Sequence, residues 1–171
     1  YDTVNKRPAA VFVPAEDFVV TYGTTDLAAC PRYTHVTRMY PNELRKLQVS
    51  GFYRDIDIPE PSPDFSNLQK KYDKVKGENP SFSDDTRHTI LEMCVDLDLP
   101  GFESPDGIDL PYVVTIEKSS RKVLSIRRNW KEGDTSYAKR QHFVHYGYIP
   151  GFGFYYFGLI HLIEQMIHIV K

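Results

Sequence analysis

Ile90-Leu91-Glu92-Met93-Cys94-Val95-Asp96-Leu97-Asp98-Leu99 is the stretch that decides how this chain folds. Leu91, Met93, Val95, Leu97 and Leu99 fall on one face at period two, while Glu92, Asp96 and Asp98 fall on the other, the pattern of a half-buried strand. Pro100-Gly101 stops the run, and Ser104-Pro105-Asp106-Gly107 supplies a turn. Downstream, Tyr112-Val113-Val114-Thr115-Ile116-Glu117 and Val123-Leu124-Ser125-Ile126-Arg127 flank Lys118-Ser119-Ser120-Arg121-Lys122, which reads as a hairpin. Residues 142–149 read as another strand. Four strands at 90–99, 112–117, 123–128 and 142–149, joined by short loops, predict an antiparallel meander. Its expected core is Leu91, Val95, Val114, Ile116, Leu124, Ile126 and Val144.

Upstream, Ala10-Val11-Phe12-Val13-Pro14 and the β-branched, aromatic run at 17–22 read as two short strands, and residues 35–39 alternate. Pro41-Asn42-Glu43-Leu44-Arg45-Lys46-Leu47-Gln48-Val49-Ser50-Gly51 has the best helix signals in the chain. Asn42 is the expected cap, Leu44 and Leu47 give a short apolar face, and Gly51 suits a left-handed exit. A helix this short is stable only against a sheet. Ile58-Pro59-Glu60-Pro61-Ser62-Pro63 favours an extended path, and residues 55–85 read as a Pro-rich surface excursion. Residues 158–170 read as a helix that is apolar almost all round. The expected class is α+β: one domain over residues 1–171, with a meander, a short helix packed near it and a C-terminal apolar helix.

Composition narrows the function. A chain of 171 residues that is 41% hydrophobic is not disordered throughout. The net charge of −2 excludes a general basic coat for gripping nucleic acid. The apolar run at 148–170 contains Pro150, three glycines, two histidines and Glu164, which is no clean membrane span. The chain opens Tyr1-Asp2-Thr3-Val4 with neither a methionine nor a secretory pattern, as expected of an internal segment of a longer protein.

Candidate chemistry is thin. Cys30 and Cys94 form neither a disulfide framework nor a zinc set. Gly151-Phe152-Gly153 stands where a dinucleotide fingerprint would, but Tyr156 replaces the third glycine and no second parallel strand follows. His142 and His145 would point to opposite faces of a strand, and His161 with His168 is too small a set for structural zinc. Asp96-x-Asp98 with Asp106 and Asp109 fails as a calcium loop, because Pro100 and Gly107 occupy ligand positions. No serine sits in a nucleophile elbow. The sequence therefore points to no cofactor, no metal and no catalytic group.

Charge is segregated instead. Six acids and no base lie between Glu92 and Asp109, whereas Arg121 to Arg140 holds seven bases against two acids. That pattern suits a head-to-tail contact between copies, and the candidate interface residues are Arg121, Lys122, Arg127 and Arg128 against Glu92, Asp96 and Asp98.

Several motifs together resemble the portal proteins of short-tailed bacteriophages. They are Pro14-Ala15-Glu16-Asp17-Phe18, Cys30-Pro31-Arg32 with Thr34-His35-Val36, and Pro41-Asn42-Glu43-Leu44-Arg45-Lys46-Leu47. Further along come Val123-Leu124-Ser125-Ile126-Arg127-Arg128-Asn129-Trp130, Lys139-Arg140-Gln141-His142-Phe143-Val144-His145-Tyr146 and Gly151-Phe152-Gly153-Phe154-Tyr155 through Ile163. The resemblance implies a subunit of the dodecameric head–tail connector ring in the virion, assembled in the bacterial host cytoplasm. Double-stranded DNA is packaged and ejected through that ring, with terminase, capsid and tail proteins as partners and no sequence-specific DNA contact. The chain would be an internal wing-region fragment of such a subunit, not an enzyme and not membrane-bound. The other reading is a non-enzymatic module on the same meander, binding a small molecule or protein at its aromatic residues 146–157.

Overall fold

The structure, a computed structural model, describes residues 7, 10–60, 86–151, 153–158 and 163. A five-stranded antiparallel meander is its framework, with strand order β1-β2-β3-β4-β5. The strands are β1 (Phe18–Val20), β2 (Arg32–Met39), β3 (His88–Leu97), β4 (Leu110–Glu117) and β5 (Val123–Arg128), and one helix, α1 (Pro41–Val49), follows β2. The chain divides into two compact units, residues 1–35 with 141–171, and residues 36–140.

In the second unit β3, β4 and β5 form as their alternation predicts. The β3–β4 register pairs Ile90 with Glu117 and Leu97 with Leu110. Directly opposed residues share a face, so Leu91, Met93, Val95 and Leu97 line up with Ile116, Val114, Tyr112 and Leu110. That face is closed by Leu99, Val123, Trp130 and Tyr137 around Leu110, Tyr112 and Val114. Trp130 meets Tyr112 edge-on at 5.3 Å and Tyr137 at 5.7 Å between ring centroids.

The other face, expected to be polar and solvated, is covered as well. Ile90 packs there with Leu124, Leu44 of α1 and Tyr53, flanked by Met39, Leu47, Ile56 and Ile58. The most deeply buried residues of β3 are thus His88, Ile90 and Cys94, one residue out of phase with the expected core. Leu91, Val95 and Ile116 are only partly buried. A β-bulge between Thr115 and Ile116 shifts the β4–β5 register, so that Thr115 opposes Ser125 while Ile116 opposes Val123. Leu124 is the extra residue at that bulge and is 0% exposed, beneath α1.

Two expected core positions are on the surface. Ile126, on the edge strand β5, is 48% exposed. Val144 is 83% exposed. Residues 142–149 form no strand; Ile149 makes a single antiparallel bridge to Phe157. The fold instead completes its sheet with β1 and a longer β2, paired Phe18 to His35 and Val20 to Tyr33. The apolar run at 10–14 also stays out of the sheet, and Val11 and Phe12 are exposed.

The cap of helix α1 stands two residues before the expected Asn42, which lies inside the helix. Tyr40 is its N-cap, Pro41 takes the first helical position, and Glu43 accepts a hydrogen bond from the Tyr40 amide at 3.2 Å. At its C-terminus Gly51 adopts φ +77°, and the amides of Gly51 and Phe52 donate to the carbonyls of Gln48 and Leu47, a Schellman exit that the glycine makes available. The buried amide of Gln48 then donates to the Arg54 and Ile56 carbonyls, and the Arg54 amide donates to Leu124 of β5 at 2.8 Å. The first residues of the Pro-rich stretch are therefore strapped to the sheet, and residues 61–85 lie outside the described residues. The expected C-terminal helix also falls outside them, apart from Gly158 and Ile163.

Candidate functional site

The meander determines which of the segregated charges meet. With β4 between them, β3 and β5 present Glu92 and Arg127 on the α1 side of the sheet. Arg127 donates to Glu92 at 3.0 Å while its guanidinium lies 4.5 Å from the Phe52 ring centroid. Both charged side chains remain more than a third exposed, so the ion pair contributes less than about 1 kcal/mol. Lys139 reaches Asp96 at 2.6 Å, Lys122 donates to the Asp57 carbonyl, and Arg128 lies over Trp130 at 5.8 Å. Of the seven candidate interface residues, Glu92, Asp96, Lys122, Arg127 and Arg128 thus meet partners within the chain. Asp98 and Arg121 are exposed.

The β4–β5 turn holds a group the sequence reading missed. Glu117, the last residue of β4, is fully buried. Its carboxylate accepts hydrogen bonds from the Ser119 amide at 3.1 Å, the Ser120 amide at 2.6 Å and the Ser120 hydroxyl at 2.6 Å. Burial pushes its pKa up, but the hydrogen bonds from Ser120 and Ser119 outweigh burial and hold the acid below the ordinary glutamate value. Buried His88 places Nδ1 3.7 Å from the same carboxylate. Glu117 thus acts as an internal template for the turn, in which the residue after Ser120, Arg121, lies in the left-handed region at φ +57°. A glutamate followed two and three residues later by serines at a strand end was the available signal, since such side chains cap turns.

The first unit is organised by aromatic rings. Phe18 stacks on Tyr33 at 5.6 Å and on Phe154 at 5.9 Å, and meets Phe143 at 4.9 Å. His145 stacks on Phe154 at 3.9 Å, and the Tyr155 hydroxyl donates to the Phe18 carbonyl at 2.7 Å. Phe143 and His145 turn inward while Val144, Tyr146 and Tyr148 are more than two-thirds exposed. The expected strand at 142–149 is therefore replaced by a packed segment without a ladder, and its inward side is Phe143 and His145, not Val144. Cys30, also in this unit, is buried and donates through Sγ to the Arg32 carbonyl at 3.0 Å.

Cys30 and Cys94 are buried and form no disulfide, and among the described residues no group of three or more His, Cys, Asp or Glu could hold a metal ion. No helix among those residues is long and apolar enough to cross a membrane. A shallow groove of about 500 Å³ is lined by Arg54, Ile56, Asp57, Lys122 and Val123, where the strap meets β5. No family model, curated protein or solved structure matches the chain.

Proposed function

We propose that this chain is part of a structural subunit of a phage portal ring through which double-stranded DNA is packaged and ejected. One observation carries the reading: four of the portal-like motifs fall, in order, on or beside framework elements of the fold, while Lys139 to Tyr146 lies in no regular element. Pro14-Ala15-Glu16-Asp17-Phe18 leads into β1, Thr34-His35-Val36 lies in β2, Pro41 to Leu47 lies in α1, and Val123 to Trp130 covers β5 and its exit.

Two features support the same reading. Val11, Phe12, Tyr22, Val144, Tyr146 and Tyr148 are all strongly exposed in the first unit, and apolar side chains of this kind are available to a neighbouring copy. A net charge of −2 lets duplex DNA slide where a basic surface would retain it. In this reading the ring sits in the virion, contacts terminase, capsid and tail proteins, and binds no cofactor. Negative-stain microscopy of the protein should show closed rings with a central channel. The second reading, a binding module, draws on the His145–Phe154 stack beside exposed Tyr146 and Tyr148. A monomer that captures a small molecule or peptide in residues 146–157 would favour it over the ring.

A further inference from the structure

We propose that copies of this chain associate head to tail, the acidic loop between β3 and β4 of one copy seating against the basic β4–β5 turn of the next. The inference rests on the ring reading above and names the two surfaces that would meet.

The topology puts these surfaces at opposite ends of the same strands. Residues 98–109 join β3 to β4, while residues 118–122 join β4 to β5. The eight residues of β4 therefore hold them about 25 Å apart at roughly 3.3 Å per residue. That is about three screening lengths at physiological ionic strength, so the two ends cannot neutralise each other within one copy. Each can be neutralised by a neighbour.

Both ends are built for contact. The loop exposes Asp98, Glu103, Asp106 and Asp109 with no base among them. Between these acids it also exposes Phe102 at 61% and Ile108 at 46%. Charges surrounding exposed apolar side chains are the composition of an interface core with a polar rim. The opposite turn exposes Arg121 and Lys122, and Ile126 is exposed farther along β5.

The turn is also unusually fixed for a surface feature. A fully buried carboxylate, Glu117, is committed to holding Ser119 and Ser120, and Arg121 is kept at a positive φ that glycine or asparagine would adopt more easily. Arginine at that position fits a requirement for its charge. The internal pairs Arg127–Glu92 and Lys139–Asp96 remove those residues from the contact and sharpen it to the two ends. A contact between two different surfaces of one chain is heterologous, and heterologous contacts generate rings or filaments, not closed two-fold dimers.

Sedimentation velocity of the full chain at low ionic strength (about 0.02 M) and high ionic strength (about 0.5 M) tests this. Self-association should weaken with salt. Arg121→Asn, which suits the left-handed backbone, and the double variant Asp106→Lys/Asp109→Lys should each weaken it about tenfold at low salt. An equimolar mixture of the two variants retains one good surface pair, so it should yield heterodimers and nothing larger. Circular dichroism of each variant confirms folding. Oligomers unaffected by either variant would overturn the inference while leaving the ring reading standing. A chain that stays monomeric at low salt would overturn both. Binding of a short DNA duplex that Arg121→Asn abolishes, with association unchanged, would reassign the turn to nucleic acid and overturn the proposal.

Discussion

Replacing Glu117 by glutamine isolates a single buried charge without changing side-chain size. In the native turn the carboxylate accepts three hydrogen bonds, two of them at 2.6 Å, and hydrogen bonds to a charged acceptor are worth about 1.5–3 kcal/mol each against about 1 for neutral ones. The glutamine carbonyl can retain one side of this arrangement, but its amide N–H₂ must face either the Ser119 amide or the Ser120 amide, both donors. Losing charge assistance and opposing donor to donor should destabilise the fold by about 2–4 kcal/mol. Urea titration followed by tryptophan fluorescence reads this directly, because Trp130 is the one tryptophan and packs on β4 through Tyr112. The midpoint should fall with the slope unchanged. There is a pH arm as well. The folded pKa of Glu117 lies below its unfolded value, so its contribution is fully present above the unfolded glutamate pKa of about 4.3 and is lost as pH falls through the folded pKa. The variant should therefore lose part of the wild-type stability gradient in that acid window. A glutamine variant within about 0.5 kcal/mol of wild type at neutral pH would show that the carboxylate does not organise the turn.

Leu124→Ala, at the fully buried bulge position, should cost about 2–5 kcal/mol in the same titration, whereas Ile126→Ala on exposed β5 should cost under about 1 kcal/mol; equal costs would mean the bulge phase is wrong. A double-mutant cycle on Glu92 and Arg127 should return a coupling below about 1 kcal/mol that shrinks with added salt, since both side chains are over a third exposed. Tyr155→Phe should lose about 1 kcal/mol with the hydrogen bond to the Phe18 carbonyl, and a neutral thermal melt would argue against that contact.

The strands from 88 onward were legible because their side chains alternate, and α1 was legible because Leu44, Leu47 and Gly51 mark one face and one exit. The phase of β3 was not. Its odd-numbered residues are the more apolar, yet α1 and Tyr53 cover the even-numbered side, and only that tertiary cover identifies His88, Ile90 and Cys94 as the deeper set. Residues 142–149 misled for another reason: an aromatic and β-branched run reports packing, not that a neighbouring strand supplies hydrogen bonds, and Phe143 and His145 pack where Val144 was expected. The charge blocks were visible in the sequence, but the partners were not. Glu92 and Arg127 lie 35 positions apart, and Asp96 and Lys139 meet across a connection whose path is anchored by buried Asn129, bonded to Pro111 and Arg140. Those meetings depend on register, which composition does not carry.

Gln48 gives the strap at 54–56 a kinetic character that its irregular path conceals. The Arg54 amide bonds to a β5 carbonyl, and Gln48 secures the carbonyls on either side of Asp55 from the buried face of α1. Releasing the Arg54 proton to solvent therefore requires α1 to lift, not merely a surface loop to fluctuate. In hydrogen exchange this amide should be protected together with α1, at the same opening free energy, although no strand assignment marks it. The cooperative boundary of the second unit then runs outside its regular elements, through a side-chain amide, and a residue that looks like connecting coil reports on the opening of the helix above it.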